Sequence, residues 1–325
     1  MRKLLTFLIV VVVLAALGLA GAIRWGGPGL PTPLEPTAKP VGMNDLTGLP
    51  KVERYVARDG TSMAYRHYVP PAGPARASIT LLHGFSSRSQ SLHAVARALA
   101  GAGFEVFALD VRGHGDSGVR GAVDYVGQLD DDLADYLQFV KPAAPRLLAG
   151  FSAGGGLALR TAGSARGQAF DAYLLVAPYL GPSASTNRSS SAGVAIGKPR
   201  RFALDLVNRF GIHRYNGMPL TSFAMDDLAT VGLTPLYSYA LASSFAPQAD
   251  YKAQIRAIGK PLEIVVGAND ENFIPDQFAA EFESAGHAVP VTIVANVGHR
   301  GIIVEAPGIQ AIVDSAIRLV PNKLQ

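Results

Sequence analysis

The sequence of 325 residues contains no cysteine. This absence excludes disulfide bonds, a thiol nucleophile and any zinc or iron–sulfur site that is built on cysteine. Charged residues are scarce as well, at 17% of the chain, and the formal net charge is only +4. Apart from short clusters such as Lys198, Arg200 and Arg201, lysine and arginine are scattered, so no basic stripe indicates nucleic-acid binding. Hydrophobic residues make up 49% of the chain, which is enough for a large folded core.

Residues 4–23 contain no charged residue and directly follow Arg2 and Lys3. A helix of this length rises about 30 Å, the thickness of the hydrocarbon core of a bilayer. Residues 1–24 therefore predict a single-pass membrane anchor with the rest of the chain on the extracytoplasmic side. The alternative is a cleaved signal peptide with the small-x-small site Ala20-Gly21-Ala22, which would leave a secreted or periplasmic protein. The apolar region of a signal peptide usually covers only about 7–15 residues, so the longer run favours the anchor.

The rest of the chain divides into a linker and one folded domain. Residues 25–50 are rich in proline and glycine, which is typical of an extended linker. In residues 51–325, short β-rich runs alternate with amphipathic stretches. Strands are predicted at residues 52–57, 63–69, 78–82, 105–109, 147–149, 172–177, 262–266 and 291–294, and helices at 92–100, 129–140, 153–161, 276–285 and 309–319. This alternation predicts an α/β fold, a mostly parallel eight-stranded sheet covered by helices on both faces.

One long segment interrupts the alternation between residues 178 and 261. It contains a serine-rich stretch followed by amphipathic pieces near residues 202–210 and 236–245. A gap of this length between adjacent strands is too large for a simple loop. We therefore predict an inserted, mainly helical lid at about residues 179–258.

The strongest local motif is Gly150-Phe151-Ser152-Ala153-Gly154, which lies between an apolar run and a helical stretch. A nucleophilic serine needs a strained strand-to-helix turn, where neighbouring glycines relieve crowding and the next backbone N–H points at the oxyanion. The pattern predicts Ser152 as the nucleophile. The alternative is a glycine-rich turn that only packs a helix on a sheet.

A serine hydroxyl needs a histidine as base and a carboxylate to orient that histidine. His299 follows the last predicted strand, where a loop would deliver it to the carboxyl edge of the sheet. Asp270 follows the penultimate predicted strand, and the adjacent Glu271 is the alternative acid. The predicted triad is Ser152, Asp270 and His299.

Acyl transfer also requires N–H donors for the developing oxyanion. The predicted strand at residues 78–82 runs into the turn His83-Gly84-Phe85, so the backbone N–H of Phe85 can lie opposite that of Ala153. These two amides are the predicted oxyanion hole. His83 is interpreted as structural, since no partner histidine stands at ligand spacing and no metal site is predicted.

Taken together, these segments resemble the α/β-hydrolases of the monoacylglycerol lipase, lysophospholipase and serine aminopeptidase (S33)-like group, over residues 52–319. The chain order of serine, aspartate and histidine is the order of that fold. The resemblance implies a structural role for the turn around Arg112 and His114, and a lid that faces the substrate. The motif after Asp270 is one residue longer than the usual family pattern, which is why Glu271 stays an alternative. The resemblance rests on residues 83–85, 110–118, 150–154, 270 and 298–299.

The expected activity is hydrolysis of a carboxylic ester, such as a small acylglycerol or lysophospholipid, through an acyl-enzyme and without a cofactor. One alternative is a proline-releasing aminopeptidase on the same triad, which would need an acidic site for the free amino terminus, for instance at Asp226, Asp227 or Asp250. Another is a non-catalytic, membrane-anchored binding protein. Transfer of the acyl group to an alcohol instead of water also remains open, and the sequence does not determine the oligomeric state.

Overall fold

A computed structural model describes residues 1–33, 45–188, 193–224 and 233–320 of the chain. Strands occur, in chain order, at β1 (Val52–Val56), β2 (Ser62–Tyr68), β3 (Ser78–Leu82), β4 (Glu105–Leu109), β5 (Arg146–Phe151), β6 (Ala172–Val176), β7 (Val194–Ile196), β8 (Pro219–Phe223), β9 (Leu236–Ser238), β10 (Leu262–Gly267) and β11 (Val291–Val294). Helices occur at α1 (Arg2–Trp25), α2 (His93–Gly101), α3 (Gln128–Val140), α4 (Ala153–Ala162), α5 (Lys198–Arg209), α6 (Tyr239–Phe245), α7 (Tyr251–Arg256), α8 (Gln277–Ser284), α9 (Gly301–Val304) and α10 (Ala306–Leu319).

The central sheet has eight strands in the order β1-β2-β4-β3-β5-β6-β10-β11. The first three pair antiparallel, and every later pairing is parallel. Each strand predicted for this sheet is confirmed within two residues at either end, and each predicted helix within three. The predicted α/β fold, a mostly parallel eight-stranded sheet covered by helices, is confirmed.

The middle strands could be found from sequence because both of their faces are covered. All residues of β3, β6 and β10 are buried, so these strands are largely apolar in sequence, with Ser78, Thr80 and Glu263 as the exceptions. Helices α2 and α10 pack together and against the sheet, while α4 packs on β3, β5 and β6. The parallel strands all end at one edge, so the loops that follow β3, β5, β10 and β11 converge there.

The segment between β6 and β10, called the lid below, is more varied than the predicted helical insertion. Its described part contains α5, α6 and α7, and also an antiparallel sheet of order β7-β8-β9. Strands of three to five residues are too short for an alternating pattern to stand out in sequence. Within the lid, residues 189–192 and 225–232 lie outside the described part of the chain.

The turn after β4 is held by a buried arginine. Arg112 donates from Nε and Nη2 to the carboxylate of Asp132 (2.8 and 2.6 Å) and from Nη1 to Asp59 (2.8 Å). Burial alone would raise the pKa of Asp59, but hydrogen bonds from Arg112 and Thr61 lower that pKa to about 2. The contribution of Asp59 to stability is therefore present above its unfolded pKa of about 3.9 and is lost as the pH falls toward 2.

We expect Arg112→Leu to reduce the free energy of unfolding by about 3–5 kcal/mol, because it leaves the carboxylate of Asp132 buried without its partner. The matched control is Arg54→Leu, which removes an ion pair to Asp116 whose side chains are about half exposed. That change should cost no more than about 1 kcal/mol. Urea unfolding at neutral pH measures both, and equal losses would contradict a structural role for Arg112.

Candidate active site

Ser152 occupies a strained turn between β5 and α4. Its backbone has φ 53° and ψ −115°, a conformation that side-chain-bearing residues rarely adopt. The two glycines of the motif allow this turn. A Cβ at Gly150 would lie 2.1 Å from the carbonyl oxygen of Gly154, and a Cβ at Gly154 would lie 2.4 Å from that of Leu82. The motif is thus a steric requirement of the turn as well as a sequence signature.

The three residues of the predicted triad lie together at the carboxyl edge of the sheet. His299 Nε2 is 3.1 Å from Ser152 Oγ, and His299 Nδ1 is 2.8 Å from Asp270 Oδ2. All three side chains are buried. With its Nδ1–H donated to Asp270, the imidazole presents Nε2 as the acceptor for the hydroxyl proton of Ser152. This is the geometry of a serine nucleophile with its base and orienting acid.

The turn that carries Asp270 is held from two sides. Asp270 Oδ1 accepts hydrogen bonds from the backbone N–H groups of Asn272 and Phe273, both at 2.9 Å. Arg188 Nε donates to the backbone carbonyl oxygen of Asp270 at 2.8 Å. Sequence reasoning did not identify Arg188, because its distance of 82 residues from Asp270 leaves no local signal.

The neighbouring carboxylate, Glu271, binds elsewhere. Its Oε2 accepts a hydrogen bond from the backbone N–H of His299 at 2.6 Å. Glu271 therefore holds the histidine loop by its main chain, whereas Asp270 holds the imidazole ring. This geometry favours Asp270 over Glu271 as the acid.

The two predicted oxyanion donors flank Ser152. Ala153 is the first residue of α4, where backbone N–H groups lack acceptors within the helix and the helix dipole is positive. Phe85 lies in the turn after β3, and this turn packs on the serine, since a Cβ at Gly84 would lie 3.1 Å from that of Ser152. The assignment of the Phe85 and Ala153 amides to the oxyanion stays a prediction.

A lid tyrosine holds the turn that carries Phe85. Tyr237 Oη, on β9, accepts a hydrogen bond from the backbone N–H of Ser86 at 2.5 Å and donates to His114 Nε2. Ser86 has a φ of 61°, and its backbone and side chain bond to Thr234 at 3.0 and 2.8 Å. Sequence analysis missed Tyr237, because it lies 151 residues from Ser86 and no local signal links the two residues.

The two histidines next to this turn are structural. His83 Nδ1–H donates to the carbonyl oxygen of Gly84 (2.8 Å), and its Nε2 accepts from the N–H of Val111 (3.1 Å). Burial lowers the pKa of both His83 and His114, so both are neutral near pH 7. Within the described residues there is no group of three or more histidine, aspartate or glutamate side chains that could hold a metal ion.

The wall beside the oxyanion turn is aromatic. The ring of Phe85 lies 5.5–5.8 Å, centroid to centroid, from four other aromatic rings. These rings belong to Tyr179, Phe223, Tyr237 and Phe245, which come from the end of β6 and from the lid. Phe223, Tyr237 and Phe245 are buried, so only Phe85 and Tyr179 present partly exposed apolar rings at this place.

Of the three acidic residues considered for an amino-terminus site, Asp250 alone lies in the described part of the chain. Asp250 caps α7, its Oδ1 accepting from the backbone N–H of Ala253 at 2.9 Å. Asp226 and Asp227 lie outside the described residues. His213 is exposed at the surface, and His287 is half-buried.

Known proteins resemble the chain in sequence. A family model described as serine aminopeptidase, S33 (Hydrolase_4) matches residues 73–300. The monoacylglycerol lipase of Mycolicibacterium smegmatis is 34% identical over 104 residues, which are 30% of this chain. The match spans 36% of the length of that relative.

Solved structures share the fold. A soluble variant of monoglyceride lipase from Saccharomyces cerevisiae, in complex with a substrate analogue, has a TM-score of 0.62 at 16% identity and covers 88% of this chain and 98% of its own. A monoacylglycerol lipase from Paleococcus ferrophilus has a TM-score of 0.59 at 18% identity. The match covers 79% of this chain and 98% of that lipase. At these identities the likeness shows the fold alone.

We expect Asp270→Asn to lower kcat for an activated ester by about 10⁴-fold, because the imidazole loses the carboxylate that fixes its tautomer. Glu271→Gln keeps an oxygen acceptor for the N–H of His299, so its kcat should stay within about tenfold of the unsubstituted protein. Steady-state kinetics of the two purified variants measures the difference. A larger loss for Glu271→Gln would reverse the assignment of the acid.

We expect Tyr237→Phe to lower kcat by on the order of 10-fold or more, because it frees the N–H of Ser86 and lets the turn that carries Phe85 move. KM should change less than kcat. Tyr125→Phe, which removes one exposed hydrogen bond to Asp131, is the control and should leave kcat unchanged. Equal values of kcat for both variants would show that Tyr237 does not position the turn.

Proposed function

The chain belongs to the serine aminopeptidase S33 family of α/β-hydrolases, and from this premise we propose that it is a serine hydrolase that cleaves carboxylic esters. The observation that carries the proposal is the paired hydrogen bonding of His299, at 3.1 Å to Ser152 Oγ and 2.8 Å to Asp270 Oδ2. The strained backbone of Ser152 and the close approach of the turn after β3 support the same conclusion.

In the proposed mechanism, Ser152 Oγ attacks the ester carbonyl carbon while His299 Nε2 takes its proton. The backbone N–H groups of Phe85 and Ala153 donate to the oxyanion of the tetrahedral intermediate. His299 then returns the proton to the leaving alcohol, and the acyl group remains on Ser152. A water molecule gives up a proton to His299 and attacks the acyl carbon. The bond from that carbon to Ser152 Oγ then breaks as His299 returns the proton to Oγ, which releases the acid and restores the serine, while Asp270 orients the imidazole throughout.

The proposed substrate is lipid-like, a small acylglycerol, lysophospholipid or similar ester. Phe85 and Tyr179 are partly exposed on top of buried aromatic rings and offer low-polarity side chains to an acyl chain. The names of the M. smegmatis relative and of the yeast structure, monoacylglycerol and monoglyceride lipase, point to the same class. An aminopeptidase is the second candidate because of the family description, and it would need a carboxylate near Ser152 to bind a free amino terminus.

We also propose that the N-terminal helix anchors the protein in a membrane with the hydrolase domain on the extracytoplasmic side. Helix α1 is long and apolar enough to cross a bilayer, and a signal sequence passes the same test. The proposed organisation is an anchor at residues 1–24, a linker at 25–50 and the hydrolase domain with its lid at 51–325.

The full chain in detergent should react with a fluorophosphonate probe, and Ser152→Ala should abolish both labelling and turnover, because only an activated serine is phosphonylated. Ser164→Ala, at an exposed turn just past the far end of α4, is the control and should label normally. A panel of p-nitrophenyl esters and aminoacyl anilides then measures the preferred substrate class. Labelling that persists in Ser152→Ala would remove the proposed nucleophile, and a preference for anilides would favour the peptidase.

A further inference from the structure

The carboxyl-terminal end of α1 is capped by a residue of the lid. Arg200, which is 6% exposed on the first turn of α5, donates from Nε to the carbonyl oxygen of Ile23 (2.7 Å) and from Nη2 to that of Arg24 (3.1 Å). The last carbonyl groups of a helix lack partners within the helix and carry its negative dipole. A guanidinium at this place satisfies both needs, so the membrane helix ends on the lid.

An apolar cluster joins the same two elements. Ile23 is buried against the inner face of α5, and Leu19 and Ala22 pack on the cluster. Its buried members are Ile23, Ala203, Leu204, Val207, Leu220 and Tyr239. The last two turns of α1 are therefore part of the lid core, whereas residues 1–18 are exposed throughout.

Three glycines allow the backbones to approach. A Cβ at Gly27 would lie 2.4 Å from Arg200 Nη1, and a Cβ at Gly197 would lie 2.6 Å from the carbonyl oxygen of Gly26. Beyond them the linker continues along the lid, where Ser222 Oγ donates to the carbonyl oxygen of Gly29 at 2.7 Å. The contact is thus built from backbone, side chain and apolar packing together.

The length of α1 then limits how far the lid can stand from the bilayer. Residues 4–23 rise about 30 Å, which matches the hydrocarbon thickness, but residues 4–18 alone rise only about 22 Å. Spanning the full apolar core therefore draws the last turns of α1 into the membrane, and α5 is packed against those turns. The difference of about 8 Å equals the depth at which an amphipathic helix lies in a membrane interface.

The outer face of α5 carries the apolar and basic side chains that are typical of a helix in a membrane interface. Phe202 is 70% and Phe210 77% exposed, and Leu206 lies between them at helical spacing. Lys198 and Arg209 are exposed on the same helix and suit lipid phosphates. An exposed apolar face with basic residues beside it marks a surface that contacts an apolar partner.

We propose that α5 lies in the headgroup–acyl boundary of the bilayer that α1 spans, with Phe202, Leu206 and Phe210 in contact with lipid. The inference rests on the membrane anchor given under the proposed function and adds the surface by which the lid meets the membrane. It requires that α1 is retained, since cleavage after Ala22 would remove the helix whose carbonyl groups Arg200 caps.

The proposed position of α5 has a consequence for the site, because the lid connects α5 with the turn beside Ser152. The lid that holds α5 also holds Tyr237, which bonds the turn that carries Phe85. Contact of α5 with lipid would therefore act on the same lid that holds the turn beside Ser152.

The absence of cysteine makes this position directly measurable, because one introduced cysteine can be labelled without background. The full chain carrying Phe202→Cys or Phe210→Cys, labelled with an environment-sensitive fluorophore, is placed in phosphatidylcholine–phosphatidylglycerol vesicles with lipids spin-labelled on the acyl chain. Both probes should lose about half of their emission or more, as expected for a side chain several ångströms inside the boundary.

Phe139→Cys is the matched control, since Phe139 is 54% exposed on α3, next to the amino end of β5 and away from the lid. Its emission should not change. Equal quenching at all three positions, or none at positions 202 and 210, would overturn the proposal. Fluorophosphonate labelling of the same samples tests the proposed function separately, because loss of labelling with lid quenching intact would refute only the serine hydrolase.

A second experiment compares substrates in the same vesicles. Phe202→Asp with Phe210→Asp should lower the hydrolysis of bilayer-embedded monoacylglycerol by about tenfold or more, because charged side chains are excluded from the apolar boundary. Hydrolysis of a water-soluble p-nitrophenyl ester by the same variant should stay within about twofold, and Phe139→Asp should affect neither. Equal rates on the embedded substrate for the lid and control variants would contradict the proposal.

Discussion

The close approach of backbone to backbone around Ser152 is the constraint on which the rest of the site depends. Gly154 lies so near the end of β3 that a Cβ there would stand 2.4 Å from the carbonyl oxygen of Leu82 and 2.6 Å from that of His83. Because β5 and α4 are pressed onto β3 in this way, the turn after β3 lies directly against the serine. The strained backbone of Ser152 persists because the buried strands packed around the turn fix its conformation.

The acid and the base are held chiefly by main-chain hydrogen bonds. Asp270 accepts two backbone N–H groups besides the imidazole, and Glu271 fixes the backbone of His299. The loops that carry Asp270 and His299 follow parallel strands that end at one edge of the sheet, so their relative position is set by strand pairing.

The lid makes two long-range contacts, one with α1 and one with the turn that carries Phe85. Arg200 binds the end of α1, and Tyr237 binds the turn that carries Phe85. These bonds link α1, the lid and the turn that carries Phe85 through residues that are far apart in sequence. The lid thereby belongs to the site as well as to the surface that we propose meets the bilayer.

The eight strands of the central sheet and the helices that cover it could be predicted from sequence alone, because buried elements leave local patterns of apolar residues. The glycines that Ser152 requires could be predicted as well, because they lie within two residues of it. The sequence also nominated His299 with two candidate carboxylates, Asp270 and Glu271. Tertiary structure alone decided which carboxylate meets the imidazole, that the lid contains a small sheet, and that Tyr237 and Arg200 bind partners more than 100 residues away. Such pairings depend on how distant segments fold together, and no local periodicity records them.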